Sequence, residues 1–353
     1  MEQRVLARLK LLGPPAGAVV TVGFSGGADS LALAAVLARV APIGAIEVVL
    51  VHVDHGLRPD SAKDAAGCGQ LATDLGSKFV LERVSAPVLT IHPGVGVEEA
   101  ARRARYVALA RSAEANGSSI VATAHHQEDQ AETVLLHLLR GAGLNGACGM
   151  SELTQMTVPW WEPLGETESR TFDLWRPLLA EPRATVRDYA KATGLTPVED
   201  ASNDDLRFRR NRIRNEVLPL LRMISPGADA ALARYARIAS AEDDLIESVA
   251  ASALARTTGP DSTLAIQALR NERLAVRRRV VLAWLHGCRV STEVTLERID
   301  AVLEAIERPR RGCRIEVGGG WSVVVEGGTL SVQGPSARGN RDVELAGEGR
   351  EAR

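Results

Sequence analysis

The first 200 residues alternate between two periodicities, and this alternation constrains the fold more than any other feature of the sequence. Four short apolar runs rich in β-branched residues are typical of strands covered on both faces: 19–24, 46–53, 78–84 and 119–124. The stretches between them predict helices at 30–40, about 61–75 and 97–116. Alternating strands and helices indicate an α/β fold with a parallel sheet. In such sheets ligands bind beyond the carboxyl ends of the strands.

The rest of the chain predicts a smaller, mainly helical region. Residues 142–176 contain several Gly, Pro and Trp residues, and we expect them to be irregular. Further helices are predicted at 182–193, 208–221, 228–257, 265–287 and 292–307. Alternation around glycine pairs in 312–333 predicts a short β-meander. We therefore expect a first domain over 1–222, a second over 223–334 and a disordered tail over 335–353.

The segment FSGGADS lies between the first predicted strand and the first predicted helix. Gly26 and Gly27 permit backbone conformations that turn successive N–H groups toward one anion, and the helix directs its positive end to the same point. Ser25 and Ser30 add hydroxyl donors. The segment has neither GK[ST] nor GxGxxG, so it predicts a phosphate-binding loop of another kind.

The net charge of −2 conceals an uneven distribution. Residues 1–200 carry 18 basic and 23 acidic side chains, a net charge of −5, whereas 201–353 carry 24 and 21, a net charge of +3. The second part of the chain is therefore basic. The four cysteines are far apart, which favours a reducing compartment. No apolar run approaches a membrane span, and the N-terminus does not read as a secretory signal. We expect a cytoplasmic protein with no membrane partner.

Several motifs together resemble one family. SGGxDS after the first strand is similar to the pyrophosphate loop of the ATP-pyrophosphatase (PP-loop) superfamily. The segments HVDHGLRPDS, EEAARRARY, ATAHHQEDQAETVLLHLLRGAGLNGACGM and EDASNDDLRFRRNRIRNEVLPLL narrow the resemblance to the tRNA(Ile)-lysidine synthetase family. The matches spread over about 19–221. Ala28, Glu128 and Phe208 depart slightly from the family pattern.

The resemblance implies a PP-loop ATP-pyrophosphatase domain, with ATP as co-substrate bound by Ser25, Gly26, Gly27, Ala28, Asp29 and Ser30. It implies adenylation of the wobble cytidine in a CAU-anticodon isoleucine tRNA, with release of pyrophosphate. Free L-lysine then attacks C2 and expels AMP, giving lysidine. Mg²⁺ is the expected metal cofactor, and a homodimer is left open.

His125, Asp129 and Glu132 fall at i, i+4 and i+7 and share one helix face. A cationic ligand needs carboxylates, and with the resemblance we assign Asp129 and Glu132, together with His125, to lysine binding. A divalent metal site is the second interpretation of this face. The third is a pair of acids that complement a helix dipole.

Other catalytic candidates lie on neighbouring segments. Arg102 and Arg105 are three residues apart on one predicted helix, and we expect Arg105 to act near the α-phosphate. Asp54, at the end of the second strand, is a candidate to hold Mg²⁺ or to orient the target base. His55 beside it is either functional or a structural loop residue.

A run of arginines near the end of the first domain indicates an RNA path. The run comprises Arg207, Arg209, Arg210, Arg212, Arg214 and Arg222, and we assign the first five to tRNA. Some of the run are expected to pair with the local acids Asp200, Asp204 and Asp205. Further basic clusters occur at Arg277, Arg278 and Arg279 and at Arg308, Arg310, Arg311 and Arg314.

Two alternatives remain at this stage. An ATP-dependent tRNA thiolase would need a sulfur-carrying cysteine near the site or a CxxC motif, and Cys68 and Cys148 fit neither pattern. A non-catalytic protein that binds nucleotide and RNA would not need SGGADS together with the acidic face at 129–132.

Overall fold

The computed structural model describes residues 1–56, 61–84, 87–92, 94–158, 169–198, 207–259, 261–290, 294–308 and 312–335. The chain forms two compact units, Met1–Ser240 and Ala241–Arg353. The boundary falls within one long helix, α11 (Ala228–Thr257), which therefore contributes residues to both units.

The first unit is built on a six-stranded sheet in the order β3-β2-β1-β4-β6-β5. Its strands are β1 (Ala18–Gly23), β2 (Ile46–Asp54), β3 (Lys78–Arg83), β4 (Ile120–Ala122), β5 (Leu153–Val158) and β6 (Arg170–Trp175). The pairs β1–β2, β1–β4, β2–β3 and β4–β6 are parallel. The predicted α/β fold with a parallel sheet is confirmed. The order places β1 next to β4, where the direction of winding reverses and ligands usually bind.

Ten helices of this unit are described before α11. They are α1 (Glu2–Leu12), α2 (Ala28–Gly44), α3 (Ser61–Asp74), α4 (Val88–Ile91), α5 (Val97–Ala115), α6 (Gln127–Leu139), α7 (Leu144–Ala147), α8 (Arg183–Ala192), α9 (Arg209–Arg212) and α10 (Leu218–Ile224). Helices α2, α5 and α6 follow β1, β3 and β4 along the chain, as crossover connections between parallel strands require.

The largest core of this unit lies between α2 and the sheet. Leu31, Leu33 and Leu37 of α2 are fully buried, as are Val20 and Val22 of β1. Each buried side chain of this size contributes roughly 1.5–3 kcal/mol of transfer free energy. This packing fixes the start of α2, and therefore the loop before it, against the carboxyl end of β1.

The prediction that residues 142–176 are irregular is wrong. Strands β5 and β6 pair antiparallel there, with Leu153 opposite Trp175 and Val158 opposite Arg170. Most side chains of β5 are exposed, so its sequence lacks the continuous apolar run of a strand covered on both faces. The hairpin places β6 beside β4 and brings the residue after β6 to the ligand-binding edge.

The single helix predicted over 208–221 is also wrong in detail. Helix α9 passes into a π-helix (Ile213–Val217), which is followed by α10. Pro219 lies in the first turn of α10 and has no N–H to donate to the preceding turn, so a wider turn accommodates it. The π-helix carries Arg214 with its guanidinium toward α6.

The second unit contains a four-stranded antiparallel sheet in the order β7-β10-β9-β8. Its elements are β7 (Leu264–Ala265), α12 (Ile266–Arg270), α13 (Leu274–Gly287), α14 (Leu296–Glu307), β8 (Cys313–Gly318), β9 (Trp321–Glu326) and β10 (Thr329–Gln333). The predicted β-meander is confirmed as β8–β10. The predicted helix over 265–287 is two helices, broken at Asn271–Arg273.

The domain limits 1–222 and 223–334 stay predictions. The boundary between the two compact units lies further along the chain, after Ser240. Nearly all of the predicted tail, 336–353, lies outside the described residues. No helix in the part of the chain that the structure describes is both long and apolar enough to cross a membrane.

Candidate active site

The phosphate-loop sequence forms the connection between β1 and α2. Gly26 has a φ of 78°, a left-handed conformation that favours glycine, and Gly27 is the N-cap of α2. The Ser25 and Ser30 hydroxyls lie 3.1 Å apart, and Ser30 Oγ donates to Gly27 O at 3.0 Å. Both hydroxyls therefore lie at the positive end of a 17-residue helix, where an anion is stabilised.

The underside of this loop is closely packed. A Cβ added at Gly26 would lie 2.7 Å from Cys68 Sγ and 3.0 Å from Val198 Cγ2. Val198 N donates to Gly26 O at 3.0 Å, which ties the loop to the segment after α8. Cys68 Sγ lies 3.3 Å from His52 Nδ1, and burial raises the pKa of the Cys68 thiol to about 12. Cys68 is therefore a packing residue and not an activated thiol.

His126 connects the loop to the acidic start of α6. Its Nε2 lies 3.5 Å from Asp29 Oδ2 and 3.3 Å from Asp129 Oδ2, and its Nδ1 lies 3.2 Å from Glu128 Oε2. Burial opposes a charged ring, but the surrounding carboxylates outweigh it and raise the pKa of His126 to about 9. The imidazolium is therefore a buried cation at neutral pH.

Asp29, the acidic residue of the loop, has one carboxylate oxygen that accepts no hydrogen bond. Burial would raise the pKa of Asp29, but His126 and Arg183 bring it below its usual value, so the carboxylate is ionised. The Arg183 Nε atom lies 4.0 Å from Asp29 Oδ2, whereas Asp29 Oδ1 is buried without a hydrogen-bond partner. An unpaired, ionised oxygen beside a phosphate loop suits a hard divalent cation such as Mg²⁺.

Asp129 and Glu132 lie together on one face of α6, and two arginines of the arginine run contact both. Arg210 donates from Nε to Glu132 Oε2 at 2.8 Å and from Nη2 to Asp129 Oδ1 at 3.2 Å. Arg214 donates from Nε to Glu132 Oε1 at 2.6 Å and from Nη2 to Asp129 Oδ1 at 3.0 Å. Glu132 is only 1% exposed, so these arginines neutralise carboxylates that water scarcely reaches.

Among the residues that the structure describes, four acids and four cations make up this network, so their charges balance. The acids are Asp29, Glu128, Asp129 and Glu132, and the cations are His126, Arg183, Arg210 and Arg214. Burial opposes ionisation of Asp129, but His126, His125 and Arg210 lower the pKa of its carboxyl to about 2. A cationic ligand that binds Asp129 or Glu132 must therefore compete with Arg210 and Arg214, whereas Asp29 keeps one unpaired oxygen.

His125, the third residue predicted on this face, points elsewhere. Its Nδ1 lies 2.9 Å from Thr123 Oγ1 at the carboxyl end of β4. Burial lowers the pKa of His125 to about 3, and the charges of Arg210, Arg176 and Arg105 oppose protonation further. Adjacent histidines therefore differ in charge at neutral pH, with His125 neutral and His126 cationic.

The predicted residues at the end of β2 lie at the same edge of the sheet. Asp54 Oδ1 accepts a hydrogen bond from Gly56 N at 2.9 Å, so it stabilises its own turn. Burial lowers the pKa of His55 to about 4, and Arg105 opposes its protonation. The positive charge of Arg105 thus opposes protonation of both His55 and His125. Arg102 instead stacks over Tyr106 at 5.2 Å and contacts Glu99.

The remaining arginines of the run lie at the surface. Arg207, Arg209 and Arg212 are exposed, and Arg212 pairs with Glu216 at 3.0 Å. Arg209 and Arg212 line a cavity of about 450 Å³ together with Leu136, Leu139, Arg140, Ile213, Glu216 and Val217. The five arginines that we assigned to tRNA therefore divide into two that are paired with Asp129 and Glu132 and three whose side chains are exposed. The local acids Asp200, Asp204 and Asp205 lie outside the described residues.

The basic cluster of the second unit is largely neutralised. Arg277 pairs with Glu307, Arg278 pairs with Asp300 at 2.7 Å, and Arg279 pairs with Asp243 and Glu247. Arg310 and Arg311 lie outside the described residues. The sequence shows the number of these arginines but not the acids that contact them.

The alternative metal site on the His125–Glu132 face has no support in the geometry. Within the described ranges, no group of three or more His, Cys, Asp or Glu residues is arranged to hold a metal ion. The nearby guanidinium groups of Arg210 and Arg214 would also repel one.

Sequence reasoning overlooked His126, Arg183 and Arg176, and it treated Glu128 only as a departure from a pattern. His126 and Asp129 are three residues apart, so their spacing was a usable signal. Arg183 is linked to Glu128 by a 2.8 Å bond from its backbone N–H, across a sequence separation that no local pattern encodes. Arg176 follows the hairpin that the sequence did not predict.

The glycine loop between β1 and α2, together with the parallel sheet, defines a PP-loop protein. A family model described as "PP-loop domain" matches residues 1–221, and one described as "TilS substrate binding domain" matches 264–331. More narrowly, the chain belongs to the tRNA(Ile)-lysidine synthase family. It is 39% identical to a tRNA(Ile)-lysidine synthase of Salinispora arenicola over 94% of this chain and 96% of that protein.

Other relatives of the same name are longer. The chain is 37% identical to a tRNA(Ile)-lysidine synthase of Deinococcus deserti over 90% of this chain, and 39% identical to one of Ralstonia nicotianae over 81%. It spans only 53% and 58% of the lengths of these two relatives.

A solved structure supports the fold alone. The U34-tRNA thiolase NcsA from Methanococcus maripaludis, with its [4Fe-4S] cluster, superposes with a TM-score of 0.54 at 15% identity. The match covers 68% of this chain and 78% of that one.

Proposed function

We propose that this protein joins free L-lysine to C2 of the wobble cytidine in a CAU-anticodon isoleucine tRNA, with consumption of ATP. The base is first adenylated at O2 with release of pyrophosphate. The lysine amine then attacks C2 and expels AMP. The observation that carries the proposal is that His126 contacts both Asp29 of the phosphate loop and the buried Asp129, which shares Arg210 and Arg214 with Glu132.

ATP binding is proposed for the loop Ser25–Ser30. The departing pyrophosphate gains negative charge, which the backbone amides of Gly26 and Gly27, the hydroxyls of Ser25 and Ser30 and the start of α2 can stabilise. Asp29 would hold Mg²⁺ through its unpaired Oδ1, and the metal would supply further positive charge beside the phosphates. Asp54 remains the second candidate for this ion.

Lysine binding is proposed at Asp129 and Glu132. Both carboxylates are paired with Arg210 and Arg214, so a lysine side chain or α-ammonium group must displace one arginine to reach them. Replacement of one cation by another keeps the network neutral, which makes the exchange less costly than insertion of an additional charge. The polyanionic tRNA would attract the displaced guanidinium.

The tRNA contact is proposed for the exposed arginines Arg207, Arg209 and Arg212 and for the second unit, where the substrate-binding family model matches. Arg209 and Arg212 line a cavity that also contains apolar side chains, a combination that suits an unstacked nucleotide. Arg105 is the proposed contact for the α-phosphate.

The cysteine beside the phosphate loop does not suit the thiolase alternative. Cys68 is the cysteine beneath the loop, yet it is fully buried and its pKa is raised to about 12. A sulfur carrier needs an accessible thiolate near the adenylated base. The similarity to a thiolase structure is a similarity of fold and does not extend to this residue.

The decisive experiment measures pyrophosphate release and incorporation of labelled lysine with two tRNAs, the CAU-anticodon isoleucine tRNA and the methionine tRNA with the same anticodon. We expect lysine-dependent product with the isoleucine tRNA only. Pyrophosphate release without lysine incorporation would indicate another modification. No release under any condition would refute an enzymatic function and leave the non-catalytic alternative.

A further inference from the structure

Arg176 is a buried cation at the ligand-binding edge of the sheet. It directly follows β6 and is 7% exposed. Its Nη1 donates to Ser151 O at 2.7 Å and to Thr154 Oγ1 at 3.2 Å, both of which are neutral acceptors. These hydrogen bonds orient the guanidinium but do not balance its charge.

The charge of Arg176 has no acidic partner among the residues that the structure describes. No described carboxylate lies within 4.0 Å of its guanidinium, and its Nε atom is buried without a hydrogen-bond partner. Arg210 and Arg214, by contrast, each contact two carboxylates. Because an arginine stays protonated, a buried and unbalanced guanidinium is costly unless an anion accompanies it.

The surroundings increase this imbalance. Burial lowers the pKa of the Arg176 guanidinium, Tyr106 offsets part of the effect, and the positive charge of Arg102 adds to it. Arg176, Arg105 and Arg210 also oppose protonation of His125. The positive charge of Arg176 therefore adds to others that act on the neutral His125 beside the end of β4.

The position of Arg176 fits a ligand that also touches the phosphate loop. Trp175 O accepts a hydrogen bond from Thr123 N at 2.9 Å, so the ends of β6 and β4 lie side by side. Strand β4 lies next to β1, and two strand spacings amount to roughly 10 Å. A phosphate ester that extends from the loop, or a nucleotide of a bound RNA, can span this distance.

We propose that Arg176 binds a phosphate group at the carboxyl end of β6, about two strands from the phosphate loop. The guanidinium presents a planar fork suited to phosphate oxygens, while Ser151 and Thr154 hold it in place. The phosphate belongs either to the nucleotide or to the RNA backbone. The inference rests on the proposed function only for the identity of these two ligands.

Equilibrium binding tests the proposal without turnover, so its result is separate from that of the lysidine assay. Wild type and Arg176→Gln are titrated with α,β-methylene-ATP, with a synthetic CAU anticodon stem-loop and with inorganic pyrophosphate. We expect a 10- to 100-fold loss of affinity for one of the first two ligands, and little change for pyrophosphate. A loss for the ATP analogue identifies the nucleotide as the source, and a loss for the stem-loop identifies the RNA.

Two results would overturn the assignment. One is unchanged affinity for both ligands, and the other is an equal loss for pyrophosphate, which would indicate general damage to the fold. Arg170→Gln is the matched control, since Arg170 begins the same strand and pairs with Glu114 at 3.1 Å. If Arg176→Gln does not fold, Arg176→Lys keeps the charge but not the fork, and a loss of about 3- to 10-fold is expected. No loss in that variant would equally overturn the proposal.

Discussion

Glu132 accepts hydrogen bonds from Arg214 at both of its carboxylate oxygens, at 2.6 Å from Nε and at 3.0 Å from Nη2. The two residues are 82 positions apart in the sequence. This ion pair joins α6 to the π-helix, and Arg214 occupies the carboxylate of Glu132 to which we assign lysine binding. The arginine run and the acidic face are therefore parts of one site, and its occupancy by arginine bears on how lysine enters.

Arg214→Gln should make lysine bind more tightly. The substitution removes one of the two cations that compete with the lysine amine for Glu132, so we expect the KM for lysine to fall by about 3- to 10-fold. The measurement is lysine incorporation at saturating ATP and tRNA. Arg222→Gln is the matched control, because Arg222 lies in the helix that follows and pairs with Asp229 at 2.6 Å instead of Glu132. A rise in the lysine KM of Arg214→Gln would mean that Arg214 positions the carboxylate and does not compete for it.

Glu132→Gln should raise the lysine requirement more than the ATP requirement. The amide keeps the shape of the side chain but removes the charge that attracts an ammonium group, which corresponds to about a 10-fold or larger rise in the lysine KM. Steady-state kinetics with each substrate varied in turn separates the two effects. Equal rises for lysine and ATP would assign Glu132 to a structural role.

Ser25→Ala and Asp29→Ala should abolish adenylation without unfolding the protein. Ser25 is exposed at the start of the helix, and Asp29 offers the unpaired oxygen that suits Mg²⁺. AMP formation with tRNA and lysine is the measurement, and circular dichroism checks the fold. Normal AMP formation in either variant would refute the proposed role of the loop.

Gly26→Ala should destabilise the protein and abolish ATP binding. A left-handed backbone costs a residue with a Cβ about 1–2 kcal/mol, and the new methyl group would collide with Cys68 and Val198. Gly27→Ala is the control for stability, since Gly27 has a φ of −65° and its nearest neighbour to a new Cβ is Ser25 Oγ at 3.6 Å. Chemical denaturation of both variants makes the comparison. Equal stabilities would show that Gly26 is not needed for its conformation.

His126 should make the stability of the protein depend on pH. Its pKa is raised from 6.5 to about 9 in the folded state, so its contribution is fully present below pH 6.5 and is lost as the pH rises through about 9. A shift of this size corresponds to roughly 3 kcal/mol at most. We expect wild type to lose stability over this range relative to His126→Gln in denaturant titrations. Parallel pH profiles for the two proteins would show that His126 is not a buried cation.

Local patterns in the sequence predicted the parts of the fold that depend on local chemistry. The apolar runs marked β1 to β4, and the glycine pair marked the phosphate loop, because periodicity and conformational freedom are properties of neighbouring residues. The edge strand β5 was not predicted because its side chains are mostly exposed. The π-helix was not predicted because a single proline does not determine how the preceding helical turn adjusts.

For the candidate site, the sequence predicted which residues take part but not which of them contact each other. The sequence indicated carboxylates at Asp129 and Glu132 and arginines at Arg210 and Arg214, but it assigned the two sets to different ligands. Their mutual contact depends on tertiary packing of α6 against the π-helix, which brings together segments about 80 residues apart. Pairing of charges over such separations follows from the fold and not from spacing.

The pairing of Arg210 and Arg214 with Asp129 and Glu132 also affects how salt should influence RNA binding. A guanidinium held by a buried carboxylate neutralises no phosphate and releases none of the counterions condensed on the RNA, so it adds little to the slope of log K against log salt concentration. Of the five arginines assigned to tRNA, Arg210 and Arg214 should therefore contribute little to that slope while they remain paired with Asp129 and Glu132. A steeper slope in the presence of lysine would report that an arginine has moved from the carboxylates to a phosphate.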